Sequence, residues 1–182
     1  MSGGWPVHAG PSIAYINHSA WWDAVVPFVL SHDLFRRESY AIMEGAQLQK
    51  YPFFRHLGCF GATTHSVADA RDVLRYSVTL LRNGGDRTLW LCPQGALLGS
   101  RVPLVFKSGL ARIARAIPEV PVIPVALRFE FRKEERPECF IRIGAPVPRA
   151  PTMQAAELTK CFERALQEEL DVLDATLLER PI

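Results

Sequence analysis

Thr88-Leu89-Trp90-Leu91-Cys92 is a continuous apolar run of strand length, bounded on both sides by turn formers. A run of that kind suits a strand buried on both faces, at the centre of a parallel sheet. Such a strand needs helices above and below it. Residues 66–82 place Val67, Ala70, Val73, Leu74, Val78 and Leu81 at helical spacing, and Asn83-Gly84-Gly85 ends the pattern. Residues 106–117 read as a second helix, with Lys107 and Ser108 at its start and Pro118 beyond its end. Residues 152–178 read as a long amphipathic helix with room for one break, and Leu158, Phe162, Leu166, Leu170, Leu173 and Leu177 lie along one side. Its polar face is acidic, which fits a core-covering helix better than an anchor on an anionic membrane.

The remaining segments follow the same alternation. Residues 21–31 predict a strongly apolar helix kinked at Pro27. Residues 44–57 begin as helix and are interrupted before Pro52. Short strands are expected at 13–16, 39–43, 59–63 and 139–143. The prolines in 120–127 mark that strand as a sheet edge or a bulge. Strands alternating with helices give an α/β fold, a mostly parallel central sheet flanked by helices. No repeat or linker divides the 182 residues, so one domain spans 1–182, with its motif core at about 12–147 and the long helix behind it.

Four cysteines without a CxxC pair read as buried thiols in a reducing compartment. No apolar run reaches the roughly 18 residues of a membrane span. The opening MSGGWPVHAGPS lacks a basic-then-apolar signal, so a cytoplasmic location is expected. Residues 151–182 hold three basic and seven acidic side chains, leaving eighteen basic against twelve acidic in 1–150. That excess suits cofactor phosphates or an anionic membrane face, and equally ordinary solubility. It is too mild to indicate nucleic acid, and neither glycine pattern of the common nucleotide folds occurs.

The chemistry concentrates at Asn17-His18-Ser19-Ala20-Trp21-Trp22-Asp23. The run 13–16 stops at Asn17, and Ser19 is expected to cap a helix beginning at Ala20 with Asp23 in its first turn. In one continuous helix His18 and Asp23 would lie about 140° apart. With His18 in a loop at the carboxyl end of a strand, where open α/β sheets bind ligands, the carboxylate folds back onto one imidazole nitrogen. The other nitrogen then faces a cleft. The alternative is a capped helix with Asp23 at its dipole and His18 as a polar loop residue. Leu91-Cys92-Pro93-Gln94-Gly95 follows the buried strand, and Pro93 and Gly95 favour a tight turn that sets Gln94 at the same sheet edge.

The order NHSAWWD, CPQG, VPVIPVAL resembles the glycerolipid acyltransferase family, whose best-known members acylate lysophosphatidic acid. That family carries an NHxxxxD block, a glycine-containing second block, an FPEG-type block and a proline-containing apolar strand. The resemblance runs from about Ile13 to Val147. It implies an acyltransferase in which His18 is the general base and Asp23 its orienter. It implies an acyl donor, acyl-CoA or acyl-carrier protein, as co-substrate with no bound cofactor or metal, and a lipid or glycolipid acceptor. Substrate contacts are expected from Asn17, Ser19, Trp22, Pro93, Gln94, Gly95, Arg101 and Lys107, with Lys107 at a helix start as a phosphate contact. Backbone N–H groups near Ala20 are the expected oxyanion donors.

Two departures bear on the acceptor. Gln94 stands where the family has glutamate, and 61–66 (GATTHS) lacks the arginine that holds the acceptor phosphate. Both imply an acceptor other than glycerol phosphate or lysophosphatidate, such as a neutral lipid alcohol, an amine, a glycolipid or a sugar hydroxyl. Trp21 and Trp22 are assigned to the core or to an acyl pocket in preference to a peripheral contact on the inner membrane face. The rival readings are an acyl-thioester hydrolase on the same scaffold and an inactive lipid-binding homologue.

Overall fold

The computed structural model describes residues 9–62, 66–100, 102–133 and 135–179. Six strands form one sheet: β1 (Ser12–Ile16), β2 (Glu38–Glu44), β3 (Cys59–Ala62), β4 (Arg87–Leu91), β5 (Val122–Glu130) and β6 (Glu138–Ile143), in the order β3-β2-β4-β1-β5-β6. All neighbours run parallel except β5 and β6. The expected strand 59–63 stops at Ala62, and Thr63 lies outside the described residues.

The sheet is covered on both faces, as the apolar run of β4 requires. Ile13 and Tyr15 of β1 point to one side, with Leu89, Val122 and Ala126, under α3 (Val67–Arg82), α4 (Gly109–Ala116) and α5 (Ala155–Leu178). Ala14 and Ile16 point to the other, with Trp90, Ile123, Val125 and Leu127, against Val26 and Leu30. Strand periodicity of two separates the sets. The buried Trp90 indole donates to Ser31 Oγ at 2.8 Å. Tyr15 hydroxyl donates to Phe162 carbonyl at 3.0 Å, and burial raises its pKa, with the charge of Glu169 the next cause.

The helix expected over 21–31 is three short pieces: a 3₁₀ turn at Trp21–Ala24, α1 at Val26–Phe28 and a π-helix at Val29–Leu34. Pro27 has no N–H to return to the preceding turn, so the hydrogen-bond ladder is interrupted there and α1 starts afresh with the proline in its first turn. The wider i→i+5 winding that follows closes with Phe35 N–H on Leu30 carbonyl. After β2, α2 (Gly45–Lys50) gives way to a 3₁₀ helix at Pro52–Leu57, the expected break before Pro52. Gly58 ends that helix at φ +85°, where a Cβ would run into Ser39 carbonyl oxygen.

β5 lies inside the sheet, which corrects the expectation of an edge or bulge. Pro124 carbonyl accepts Gly144 N–H at 2.9 Å, so the absent proline N–H faces the place just beyond β6 where the ladder has ended. α4 begins at Gly109, later than expected. Phe106 N–H is taken by Glu163 Oε2 at 2.9 Å and Lys107 N–H by Pro93 carbonyl at 2.8 Å, which holds both residues out of the helix. α5 is unbroken, and its stripe from Leu158 to Leu173 is buried. Of the four thiols only Cys59 is buried, its pKa pushed up to about 12 by desolvation, while Cys139 is exposed. Among the described residues no helix is long and apolar enough to cross a membrane.

Phe162 is fully buried, with its ring 5.7 Å from that of Tyr15. Phe162→Ala is expected to destabilise the fold by about 3–5 kcal/mol, read by urea unfolding. A loss under about 1 kcal/mol would mean that α5 is not part of the cooperative core.

Candidate active site

β1 and β4 are parallel neighbours, so the loops that leave their carboxyl ends share one edge of the sheet. Asn17 makes the transition. Its Oδ1 accepts Leu127 N–H at 2.8 Å and its Nδ2 donates to Leu127 carbonyl at 3.0 Å. The side chain thus supplies the next rung of the β1–β5 pairing after Ile16–Val125, while the main chain turns away. His18 is then gripped through its own backbone. Its N–H donates to Gln94 Oε1 at 2.8 Å, and its carbonyl accepts Leu98 N–H at 3.0 Å, both from the loop after β4. That loop starts with the expected turn, Gly95 N–H returning to Cys92 carbonyl at 3.0 Å with Gly95 at φ +66°.

Asp23 closes the site. Its Oδ2 accepts Ser19 N–H at 2.6 Å, Ala20 N–H at 2.8 Å and His18 Nδ1 at 3.1 Å. The carboxyl side chain is fully buried, and three donors on one oxygen offset the loss of hydration. A carboxylate only accepts, so Nδ1 carries a proton, and in the neutral imidazole Nε2 is the nitrogen with the lone pair. Asp23 Oδ1 is buried with no partner among the described residues. Ser19 does not cap a helix side chain to backbone. The 3₁₀ turn starts at Trp21, and Asp23 satisfies the loop N–H groups in its place. For the same reason, of the backbone N–H groups near Ala20 expected as oxyanion donors, those of Ser19 and Ala20 are already taken.

His18, about a quarter exposed, stands between two cavities. One, of about 490 Å³, is polar and runs toward α5, with Ser19, Gln94, Arg128, Glu130, Gln167 and Asp174 in its wall. Arg128 forks onto Asp174 through Nε at 2.7 Å and a terminal nitrogen at 2.8 Å. The other, of about 320 Å³, is mostly apolar and lies under the irregular helical segment, walled by Ile16, Trp21, Met43, Tyr51, Phe54, Trp90 and Leu97. Cys92, half-buried, lies in this second wall, where desolvation of its thiol and then the charge of Asp23 raise its pKa.

The structure gathers Asn17, His18, Ser19, Asp23 and Gln94. Pro93 is buried and shapes the turn without reaching either cavity, and Gly95 edges the apolar one. Lys107 is exposed, lines neither cavity and leans on Gly95 carbonyl at 3.4 Å. Trp22 is 53% exposed and lines neither, and Trp21 is 48% exposed although it walls the apolar cavity, so neither is a core residue. Arg101 lies outside the described residues. Sequence reasoning missed Arg128, Glu130, Gln167 and Asp174. The alternation of β5 carried three residues past Leu127 would have placed Arg128 and Glu130, whereas the α5 pair meets the site only through tertiary packing. No group of three or more His, Cys, Asp or Glu side chains forms a metal-ligand set among the described residues.

Asn17→Ala would leave Leu127 N–H and carbonyl buried and unpaired. It is expected to cost about 2 kcal/mol or more, measured by thermal or urea unfolding. A neutral result would show that water or a shifted loop replaces the amide.

The family model described as Acyltransferase matches residues 5–128, from ahead of β1 into β5. No curated protein matches the chain significantly.

Proposed function

The chain belongs to the acyltransferase family, and from that premise we propose that it moves a fatty acyl group from an acyl thioester to a hydroxyl or amine of a lipid-like acceptor. One observation carries this reading. His18, held through Nδ1 by Asp23, walls both an apolar cavity and a polar one. The apolar cavity suits the acyl chain and the polar cavity suits the acceptor. His18 removes the acceptor proton as its oxygen or nitrogen attacks the thioester carbonyl, and returns that proton to the departing thiolate. Asp23 holds the tautomer and stabilises the imidazolium, as the carboxylate of a catalytic triad does. Acyl-CoA or acyl-carrier protein is the donor class, a cytoplasmic one.

The acceptor we assign is not a phosphomonoester. Arg128 is already committed to both oxygens of Asp174, and Glu130 has no ionic partner among the described residues. A cavity so lined opposes an added dianion and suits hydroxyl or amine groups. The Gln94 substitution and the missing second-block arginine point the same way. The exposed Trp21, Trp22 and Phe53 lie on the segments that wall the apolar cavity, and we place a peripheral lipid contact there. A hydrolase would use the same His18–Asp23 pair, but a roomy polar cavity beside the base favours an organic acceptor over water.

The test is thiol release from acyl-CoA against lysophosphatidate, lipid alcohols, glycolipids and amines. Acceptor-dependent release is expected with the uncharged or amine acceptors, falling by about 100-fold or more in His18→Ala. Release that ignores every acceptor would establish the hydrolase, and efficient acylation of lysophosphatidate would overturn the acceptor assignment.

A further inference from the structure

We infer that Gln94 is a catalytic hydrogen-bond donor, its side-chain N–H groups holding the thioester carbonyl oxygen as that oxygen becomes an oxyanion. The inference rests on the acyl-transfer reading of His18. Acyl transfer needs such donors, because negative charge collects on that oxygen when the new bond forms. The backbone donors that flank His18 most closely are already in use. The N–H groups of His18, Ser19 and Ala20 are consecutive, and all three are spent, the first on Gln94 and the other two on Asp23.

Gln94 is a side chain beside the base with donors to spare. Its exposure is 7%. The His18 N–H can only donate, so the Gln94 atom 2.8 Å away is the carbonyl Oε1, and the amide nitrogen is the other end. That nitrogen has no partner among the described residues, and it is not sealed off from solvent. Gln94 lines the polar cavity together with His18 and does not line the apolar one. A side chain more than nine-tenths buried therefore keeps two unused donors at the wall of the acceptor cavity, next to the base. Leaving such donors unmet costs free energy, which a bound carbonyl oxygen would recover. A glutamate here would accept the His18 N–H equally well and would have no N–H to give. The difference between glutamine and the family's glutamate is thus a difference in donors facing the reaction.

The step balances as follows. The acceptor oxygen or nitrogen forms a bond to the thioester carbonyl carbon and gives its proton to His18 Nε2. The carbonyl π pair moves onto the carbonyl oxygen, which Gln94 holds through N–H donation. The pair then returns, the carbon–sulfur bond breaks, and the thiolate takes the proton from His18.

Gln94→Glu tests this, because it keeps length, shape and the acceptor for His18 N–H while removing the donors. The expected result is a fall in kcat of about 100-fold or more with KM for the thioester nearly unchanged. The ratio of variant to wild-type kcat should rise as pH is lowered through the carboxyl titration, since a protonated carboxyl regains one O–H donor. Gln94→Met, similar in size and without donors, should lose as much and show a flat ratio, and it serves if the glutamate variant folds poorly. A Gln94→Glu or Gln94→Met enzyme with kcat within about two-fold of wild type, or a loss confined to acceptor KM, would overturn the inference. His18→Ala in the same assay separates the two claims. If it is inactive while the Gln94 variants are not, only the donor role fails. If it keeps its rate, the acyl-transfer reading itself fails.

Discussion

Asp23 Oδ2 is the atom on which the site depends. Between the end of β1 and the first helical turn the chain must reverse within a few residues, and the loop N–H groups of Ser19 and Ala20 need acceptors. One carboxylate oxygen takes both and also takes the Nδ1 proton of His18. The same contact therefore satisfies the loop, compensates a fully buried charge and chooses the imidazole tautomer. These three roles cannot be separated by geometry, because they converge on a single oxygen.

The sheet order makes that convergence useful. β1 lies between β4 and β5, so the loop carrying His18 has the β4 loop on one side and the end of β5 on the other. The β4 loop clamps His18 through Gln94 and Leu98, while Asn17 ties the start of the loop to Leu127 of β5. With its backbone held from both sides, the imidazole stands at the boundary between the two faces of the sheet. The apolar cavity belongs to the face covered by the irregular helical segment, and the polar cavity to the face covered by α5. His18, on that boundary, therefore has the apolar cavity on one side and the polar cavity on the other.

Much of this was legible in the residues. The apolar run of β4 implied a central parallel strand, and it is one. The stop of the first strand at Asn17, with Asp23 five residues beyond His18, implied a loop base with a folded-back carboxylate, and the contact is 3.1 Å. What stayed hidden depends on packing. The winding around Pro27 passes from 3₁₀ through α to π, a choice that local propensity does not express. The prolines of β5 argued for an edge, but β6 ends before Pro124 and leaves its missing donor harmless. The polar wall from α5 lies 37 or more residues from any strand that frames His18, counting from Glu130 to Gln167, so no local pattern could place it. That Asp23 takes the N–H groups of Ser19 and Ala20 was also hidden, because it depends on how the loop folds back.

The central claim is that His18 meets its reactants with Nδ1 protonated and Nε2 bare. Nitrogen NMR of the ring-labelled protein, with His18 assigned by difference from a His18→Gln variant, tests it most directly. Above the imidazole titration the account predicts a pyrrole-type signal at Nδ1 and a pyridine-type signal at Nε2. A neutral His18 carrying its proton on Nε2 would contradict it, since the nitrogen facing the cavities would then have a proton to give and no lone pair with which to take one.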